Sequence, residues 1–329
     1  MRRNVRPVAW LAAALVLGVA GSAWAEPATI DVTFAMGEAG AIHVEGRVLG
    51  GAPLPAEEDG DWVVVNVLRT ALAVASDELP GVTVAVGPAE RRGDGAIRVT
   101  TDEEGFFSAI VPAGTASGGQ AGKLSLEVRL EADGHEADPV VLDATVLPAT
   151  GATVVVTDFD DTLAASQVSS PLLFAAQLVL SNGAQLAAVP DAAACLSRMA
   201  RTADAVVVLS GNPVNFHARL STFLGTHGFP PAWFLLRDFG VGPTADPLDV
   251  GEYKRRELER LAEALPHARF VFLGDSGEQD AAVYAAFREA HGERVERILI
   301  RNVGGSTGAS GDGVESFSDY AGVNCDLLP

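Results

Sequence analysis

Residues 154–163 read VVVTDFDDTL, and residues 271–280 read VFLGDSGEQD. Each stretch is a short apolar run that ends in carboxylates. Such a run is typical of a buried parallel strand, and open α/β sheets bind ligands beyond the carboxyl ends of their strands. We therefore expect Asp158, Asp160 and Asp275 to meet at one edge of a sheet. Crowded carboxylates become protonated or attract a cation, and an all-oxygen set suits Mg²⁺, so we predict a Mg²⁺ site formed by these three residues.

Around these two stretches, strand-like and helix-like segments alternate through residues 149–329. Strands are predicted at Thr153–Thr157, Ala205–Leu209, Trp233–Leu236, Phe270–Leu273 and Arg297–Arg301. Helices are predicted at Asp191–Arg201, Pro213–Gly225, Tyr253–Leu265 and Gln279–His291. This alternation predicts an α/β domain with a parallel sheet and right-handed crossovers.

Residues 26–148 show a different pattern, with short strand-like runs separated by turns rich in Gly, Pro and Asp. The runs are Thr29–Phe34, Ile42–Leu49, Trp62–Leu68, Val82–Val86, Ile97–Thr101, Phe106–Val111, Leu124–Glu131 and Val140–Val146. Their spacing predicts a β-rich, sandwich-like domain that folds separately, with a seam near Pro148. Residues 71–77 are also compatible with a helical turn.

Residues 1–25 have the features of a signal peptide, with a basic start, an apolar core and Ala23-Trp24-Ala25 before the cleavage point. We predict a periplasmic or secreted protein, with an uncleaved anchor as the alternative. The net charge of −20 argues against a nucleic-acid partner. Cys195 and Cys325 are the two cysteines, and the sequence leaves a disulfide and free buried thiols both open.

Two further motifs supply polar groups. The strand-like run before Ser210-Gly211-Asn212-Pro213 predicts that a helix begins at Pro213, with an anion site formed by the Ser210 hydroxyl and backbone N–H groups such as that of Gly211. Lys254 is predicted near a helix N-terminus, where the helix dipole disfavours a cation. That misfit indicates that Lys254 faces a phosphate or a carboxylate.

The order Asp pair, Ser, Lys, Asp resembles the haloacid dehalogenase-like superfamily. The blocks VTDFDDTL, LSGNPVNF, LLRDFG, FLGDSGEQDAAVY and ILIRNV resemble more closely the phosphatidate phosphatase catalytic domain family of the actin-patch-associated type. The resemblance covers residues 153–303, and it implies a parallel Rossmann-like sheet. The segments that connect the motifs are too short for a large cap domain over the site.

The resemblance also implies roles for the site residues. Asp158 is the nucleophile and forms an aspartyl-phosphate, and Asp160 is the general acid and base. Mg²⁺ binds Asp158, the backbone carbonyl of Asp160 and Asp275, and the phosphoryl oxygens are held by Thr162, Ser210, Gly211 and Lys254. From the residues alone, Asp280 is expected to act through water, to stabilise the first turn of its helix or to coordinate the metal, and Asn212 is expected to support the set.

The sequence therefore predicts a Mg²⁺-dependent phosphatase on phosphatidate or a related lipid phosphomonoester, in peripheral contact with a membrane. The alternatives are a phosphatase on soluble or cell-surface phosphomonoesters and a non-catalytic binding protein that kept the fold. The apolar run Leu172–Leu180 either lines a lipid path or packs in the core. No protein partner is predicted.

Overall fold

The computed structural model describes residues 25–38, 40–74, 77–91, 95–113, 122–165, 181–238, 249–304 and 313–327. Residues 1–24 of the predicted signal peptide, most of the Gly-rich loop after Ala113 and the run Leu172–Leu180 lie outside these residues. Within the described part of the chain, the strands form two sheets, and several helices pack on the second one. The predicted α/β class is confirmed.

The strands of the first sheet are β1 (Glu26–Glu38), β2 (Ala41–Gly50), β3 (Thr83–Pro88), β4 (Ile97–Thr100), β5 (Phe106–Pro112), β6 (Gly122–Glu131), β7 (His135–Glu136) and β8 (Val140–Leu147). Their order is β4-β3-β6-β8-β1-β2-β5, and β7 pairs with β1. Most neighbours are antiparallel, whereas β1 pairs in parallel with β7 and β8. The described residues thus form one mixed sheet that curls around its own apolar cluster, instead of the two sheets of a sandwich.

Residues 62–68 were predicted as a strand, and this prediction is wrong. Helix α1 spans Val63–Val74. The run Val63-Val64-Val65 favours a strand locally because β-branched side chains fit a pleated sheet. The helix wins because Asn66, Arg69 and Thr70, at spacings of three and four, share one helical face and are all buried against the rest of the protein.

The second sheet contains β9 (Thr153–Thr157), β10 (Ala205–Pro213), β11 (Trp233–Arg237), β12 (Arg269–Asp275), β13 (Val295–Arg301) and β14 (Val314–Phe317). Its order is β11-β10-β9-β12-β13-β14, and every neighbouring pair is parallel. The sequence predicted five of these strands and missed β14. Because β9 lies between β10 and β12, the residues that follow these three strands share one edge.

Helices cover both faces of this sheet: α2 (Ala192–Met199), α3 (His217–Thr226), α4 (Val250–Ala264) and α5 (Asp280–His291). Alternate strand residues point to opposite faces, so Val155 and Val206 join the cluster of α2 and α3, and Val154 and Val207 join that of α4 and α5. The second cluster also contains Phe34, Met36 and Leu147 from the first sheet. The two sheets therefore share a core, which argues against separate folding; the boundary at residues 148–149 stays a prediction.

A disulfide joins Cys195 in α2 to Cys325 near the C-terminus, with 5.3 Å between the two Cα atoms. The sequence had left this pairing open. The bond fastens the C-terminal segment beside the second sheet, where Tyr320 Oη donates a hydrogen bond of 2.9 Å to Thr162 O. The C-terminal segment thus supports the loop that follows β9.

Among the described residues, none of the helices has both the length and the apolar character that a bilayer crossing requires.

Candidate active site

Asp158 follows β9 directly and is held against β12, because its backbone N–H donates to Leu273 O at 2.8 Å. Its side chain is 1% exposed. Asp161 has a φ of 54°, a left-handed conformation in which Asp and Asn are enriched, and the N–H groups of Leu163 and Ala164 both donate to Phe159 O. The chain therefore turns tightly after Asp160 and keeps Asp158 and Asp160 at the sheet edge.

Lys254 lies at the centre of a carboxylate cluster. Its Nζ donates to Asp158 Oδ1 at 2.7 Å, Glu278 Oε2 at 2.9 Å and Asp280 Oδ1 at 2.6 Å. An ammonium has three N–H donors, so these bonds use all of them. The prediction that Lys254 faces a phosphate or a carboxylate is therefore confirmed for carboxylates. Its contact with a phosphoryl group stays a prediction.

The helix that carries Lys254 begins earlier than the sequence predicted. The side chain of Asp249 caps α4 by accepting the Glu252 N–H at 2.8 Å. An Asp at this position satisfies one of the free N–H groups of the first turn. Lys254 therefore projects from the second turn of the helix, and its side chain is 1% exposed.

Ser210 reaches the site from a strand and not from a helix N-terminus. Strand β10 continues to Pro213, a 3-10 turn spans Val214–Phe216, and α3 begins at His217, so the predicted helix start at Pro213 is wrong. The extra strand residues keep Asn212 at the site, where its Nδ2 donates to Asp160 Oδ2 at 2.6 Å and to Ser210 Oγ at 3.0 Å. Asn212 thus positions both predicted side chains.

Gly274 allows Asp275 and Asp280 to approach each other. A Cβ at position 274 would lie 2.5 Å from Asp280 Oδ2 and 2.8 Å from a ring carbon of Tyr284, so a side chain does not fit there. Asp280 Oδ2 accepts the Asp275 N–H at 3.2 Å. Asp275 Oδ1 accepts the N–H groups of Gly277 and Glu278, so the loop after β12 aims Asp275 at the shared edge.

Four residues predicted from the sequence keep a buried oxygen that has no hydrogen-bond partner among the described residues: Asp158 Oδ2, Asp160 Oδ1, Thr162 Oγ1 and Asp275 Oδ2. Buried polar atoms without partners are rare because each costs about 1–3 kcal/mol. Two of these atoms, Asp158 Oδ2 and Asp275 Oδ2, belong to carboxylates predicted to bind the metal, whereas Asp160 is predicted to bind it through its backbone carbonyl and to keep its carboxyl for proton transfer. The residues present therefore fit a cation held by Asp158, Asp160 and Asp275.

A second group of carboxylates also lies close together, since ligand oxygens of Asp158, Glu278 and Asp280 are within 4.8 Å of one another. Lys254 Nζ already binds an oxygen of each. Lys254 therefore already supplies positive charge to this second group.

Burial and crowding shift the protonation of the cluster. Burial raises the pKa of Asp158 well above its usual value, with Lys254 opposing the shift. Burial and the charge of Glu278 raise the pKa of Asp160 to about 8. Burial and Asp280 raise the pKa of Asp275 to about 7. Burial alone would lower the pKa of Lys254, but Asp158, Asp280 and Glu278 outweigh it and raise that pKa well above its usual value. These carboxylates need protons or a cation at neutral pH.

Glu278 was not predicted as a site residue, although it lies within the quoted GDSGEQD stretch. Its position could have indicated this role, because a residue three positions after Asp275 in a tight turn returns to the same edge of the sheet. Arg301 was also missed; it follows the pattern of the other site residues because it ends β13, and its Nη1 donates to Asp161 O at 2.5 Å.

Residues 153–302 match a family model described as the catalytic domain of the phosphatidate phosphatase APP1. This part of the chain is similar to that family. The match confirms the resemblance predicted from the motifs, and the family that it names is one of phosphoric monoester hydrolases. The matched range begins with β9 and ends one residue after β13, so it includes every predicted site residue.

No curated protein matches the sequence significantly. Among solved structures, a class C acid phosphatase from Bacillus anthracis with tungstate bound is 19% identical, covers 44% of this chain and 65% of its own, and has a TM-score of 0.28. A glycosyl hydrolase family 2 member from Bacteroides cellulosilyticus is 8% identical and covers 83% of this chain and 38% of its own, also with a TM-score of 0.28. The chain spans less than two thirds of either structure, and TM-scores this low do not establish a shared fold.

Proposed function

We propose that this chain is a Mg²⁺-dependent phosphatase with a haloacid dehalogenase-like fold and no large cap, and that it hydrolyses phosphatidate or a related lipid phosphomonoester. The observation that carries the proposal is the set of buried, unpartnered oxygens on Asp158, Asp160, Thr162 and Asp275. Groups that lack partners in a buried site are ready to bind a ligand. The family match supplies the substrate class.

Asp158 attacks the phosphorus atom and forms an aspartyl-phosphate while the bond to the lipid alkoxide breaks. Asp160 gives its proton to that alkoxide, and a pKa of about 8 keeps the proton available at neutral pH. Asp160 then accepts a proton from the water that attacks the aspartyl-phosphate, which releases phosphate and regenerates Asp158. When bound, Mg²⁺ neutralises the carboxylates and the phosphoryl oxygens.

The phosphoryl oxygens are held by Thr162, Ser210 and the Gly211 N–H. Ser210 Oγ accepts two hydrogen bonds from Asn212, one from its backbone N–H at 3.1 Å and one from Nδ2. A hydroxyl that accepts in this way keeps its own O–H for donation. Lys254, bonded to Asp158, places a positive charge beside the atom that receives the phosphoryl group.

The alternative substrate is a soluble or cell-surface phosphomonoester. It is favoured by the net charge of −20 and by the lack of a polybasic segment in the sequence, since electrostatic docking on anionic lipid needs one. The presence of all three carboxylates, Asp158, Asp160 and Asp275, argues against a non-catalytic binding protein.

The two substrate classes are separated by a pair of phosphomonoesters with the same headgroup. Phosphate release is measured with phosphatidate in vesicles and with glycerol 3-phosphate in solution, each with and without Mg²⁺. We expect Mg²⁺-dependent release with kcat/KM at least about a hundredfold higher for phosphatidate. Equal or higher kcat/KM on glycerol 3-phosphate supports the soluble alternative, and no release from either ester contradicts both.

We also propose export to the periplasm or the cell exterior, with the mature chain beginning at Glu26. The Cys195–Cys325 disulfide supports this, because such bonds persist in oxidising compartments. The intact mass of the protein recovered from cells decides it: a mass that retains residues 1–25 contradicts cleavage.

A further inference from the structure

Helix α1 has its polar face turned into the protein. Asn66, Arg69 and Thr70 are buried, while Val63, Val64, Val65, Val67, Leu68 and Leu72 are exposed. A helix on a globular protein ordinarily buries its apolar stripe and exposes its polar one. The arrangement of α1 is the reverse, so its outer face is built for an apolar environment.

The outer face of α1, defined here as Trp62, Val64, Val67, Leu68 and Leu72, is strongly exposed at its N-terminal end, where Trp62 is 79% and Val64 is 75% exposed. It carries no charge, because the one charged residue of the helix, Arg69, points inward and binds Asp61 at 2.9 Å. A contiguous apolar patch of this kind marks a binding surface.

The inward face is fixed to the phosphatase domain by hydrogen bonds. Asn66 Nδ2 donates to Gln185 Oε1 at 2.7 Å, and Arg219 Nη2 donates to Thr70 Oγ1 at 2.8 Å. Asn182 Nδ2 donates to Asn66 Oδ1 at 3.2 Å. These hydrogen bonds join distant parts of the chain and hold α1 in one orientation. Its apolar face is therefore held at the surface of the protein.

The same contacts place α1 beside the active site. Asn215 Nδ2 donates to Ala73 O, in the last turn of α1, at 2.8 Å. Asn215 lies three residues after Asn212, which binds Asp160 at 2.6 Å. The segment that contacts the last turn of α1 therefore begins at the edge of the sheet where Asp158 and Asp160 lie.

We propose that the outer face of α1 inserts into the boundary between headgroups and acyl chains of a lipid bilayer and so presents the active site to a membrane-embedded phosphomonoester. This rests on the proposed function. The face is uncharged on a chain of net charge −20, so a bilayer can accept it without a basic partner, whereas a second copy would bring two strongly negative molecules together. A Trp at the helix start fits the interface, where its ring is apolar and its N–H remains solvated.

The proposal explains how an acidic protein can work on a membrane without a polybasic segment. Docking by apolar insertion does not need anionic lipid, in contrast to electrostatic docking. We therefore expect the chain that begins at Glu26 to bind vesicles of neutral phosphatidylcholine, with an affinity that changes little between low and high salt.

The test uses the variant Trp62→Ser/Val64→Ser/Leu68→Ser in flotation with phosphatidylcholine vesicles. Ser is a good helix N-cap at position 62, whose carbonyl accepts the Val65 N–H at 2.8 Å, so the helix is retained. The matched control is Ile110→Ser/Val141→Ser, which removes exposed apolar side chains (55% and 61% exposed) from the first sheet. We expect at least about a tenfold loss of vesicle binding in the first variant and none in the control.

Activity is measured in parallel so that the two proposals fail separately. The α1 variant should keep wild-type turnover on glycerol 3-phosphate and show a raised KM on phosphatidate in vesicles. Wild-type protein that hydrolyses phosphomonoesters but does not bind vesicles overturns the docking surface alone. Wild-type protein that binds vesicles through α1 but releases no phosphate overturns the proposed function alone. A dimer that the α1 variant abolishes, without vesicle binding, assigns the face to a second copy and overturns the proposal.

If the α1 variant is misfolded by circular dichroism, Trp62→Phe replaces it. In the chain that begins at Glu26, whose tryptophans are Trp62 and Trp233, fluorescence should shift to shorter wavelength when vesicles are added, and this shift should be absent in Trp62→Phe, which retains Trp233. An unchanged shift in Trp62→Phe overturns insertion of α1.

Discussion

At the residue scale, Lys254 and the carboxylates around it define what the site can do. A buried ammonium that spends all three donors on Asp158, Glu278 and Asp280 fixes the orientation of the proposed nucleophile. The remaining oxygens of Asp158 and Asp275 are left for a cation and a phosphoryl group. The site is therefore preorganised before any ligand binds, which is the condition for effective electrostatic catalysis.

We predict that Asp158→Asn lowers phosphate release by at least about a thousandfold, because an amide is a poor nucleophile towards phosphorus. The matched control is Asp161→Asn in the same loop, since Asn also tolerates the left-handed φ of 54° at that position. Release rates and far-UV circular dichroism are compared for both variants. A folded Asp158→Asn protein with wild-type turnover contradicts the nucleophile assignment.

We predict that Lys254→Met lowers the free energy of unfolding by about 3 kcal/mol or more, because it leaves buried carboxylates without their counter-charge. The matched control is Lys123→Met, which changes the other lysine of the chain, an exposed residue 3.9 Å from Asp143. Urea denaturation of both variants gives the difference. If Lys254→Met and Lys123→Met lower the free energy of unfolding by the same small amount, the carboxylate cluster does not need Lys254 for its stability.

At the element scale, the C-terminal segment supports the loop that follows β9 through the Tyr320–Thr162 hydrogen bond and the disulfide to α2. We predict that Cys195→Ala/Cys325→Ala lowers the free energy of unfolding by about 2–4 kcal/mol, since the bond restricts the unfolded chain. Denatured, unreduced wild-type protein should contain no free thiol. Two free thiols per chain in that titration contradict the pairing.

Glu104, in the turn between β4 and β5, donates a hydrogen bond to Asp238, which follows β11. This hydrogen bond, burial and nearby negative charges raise the pKa of Glu104 to about 7. The folded protein therefore holds a proton that the unfolded chain releases near pH 4.5, so stability from this pair is present at low pH and is lost as pH rises towards 7. We predict that Glu104→Gln removes this decline in melting temperature. Glu103→Gln, at the exposed neighbouring position, should keep the wild-type profile, and parallel profiles for all three proteins contradict the pair.

At the scale of the whole molecule, the sequence predicted five strands of the second sheet, and it placed the candidate site residues at one edge because each motif follows a strand and parallel strands end at one edge. It failed at α1, where three consecutive valines favour a strand and only contacts with residues such as Gln185 and Arg219 make the helix stable. The predicted helix start at Pro213 was wrong because proline is favoured at the first position of a helix and is also tolerated where the pairing of a strand becomes irregular, as it does at the end of β10. The disulfide and the shared core depend on the distance between remote segments, which local patterns do not encode.

The proposed function requires that Asp158, Asp160 and Asp275 form a metal-dependent site of phosphoryl transfer. The most direct test is phosphate release by the whole chain after dialysis against a chelator, followed by titration with Mg²⁺. We expect that release is lost in the chelator and returns saturably as Mg²⁺ is added, because the crowded carboxylates then have their cation. Full release in excess chelator, with no metal found by elemental analysis, would contradict it.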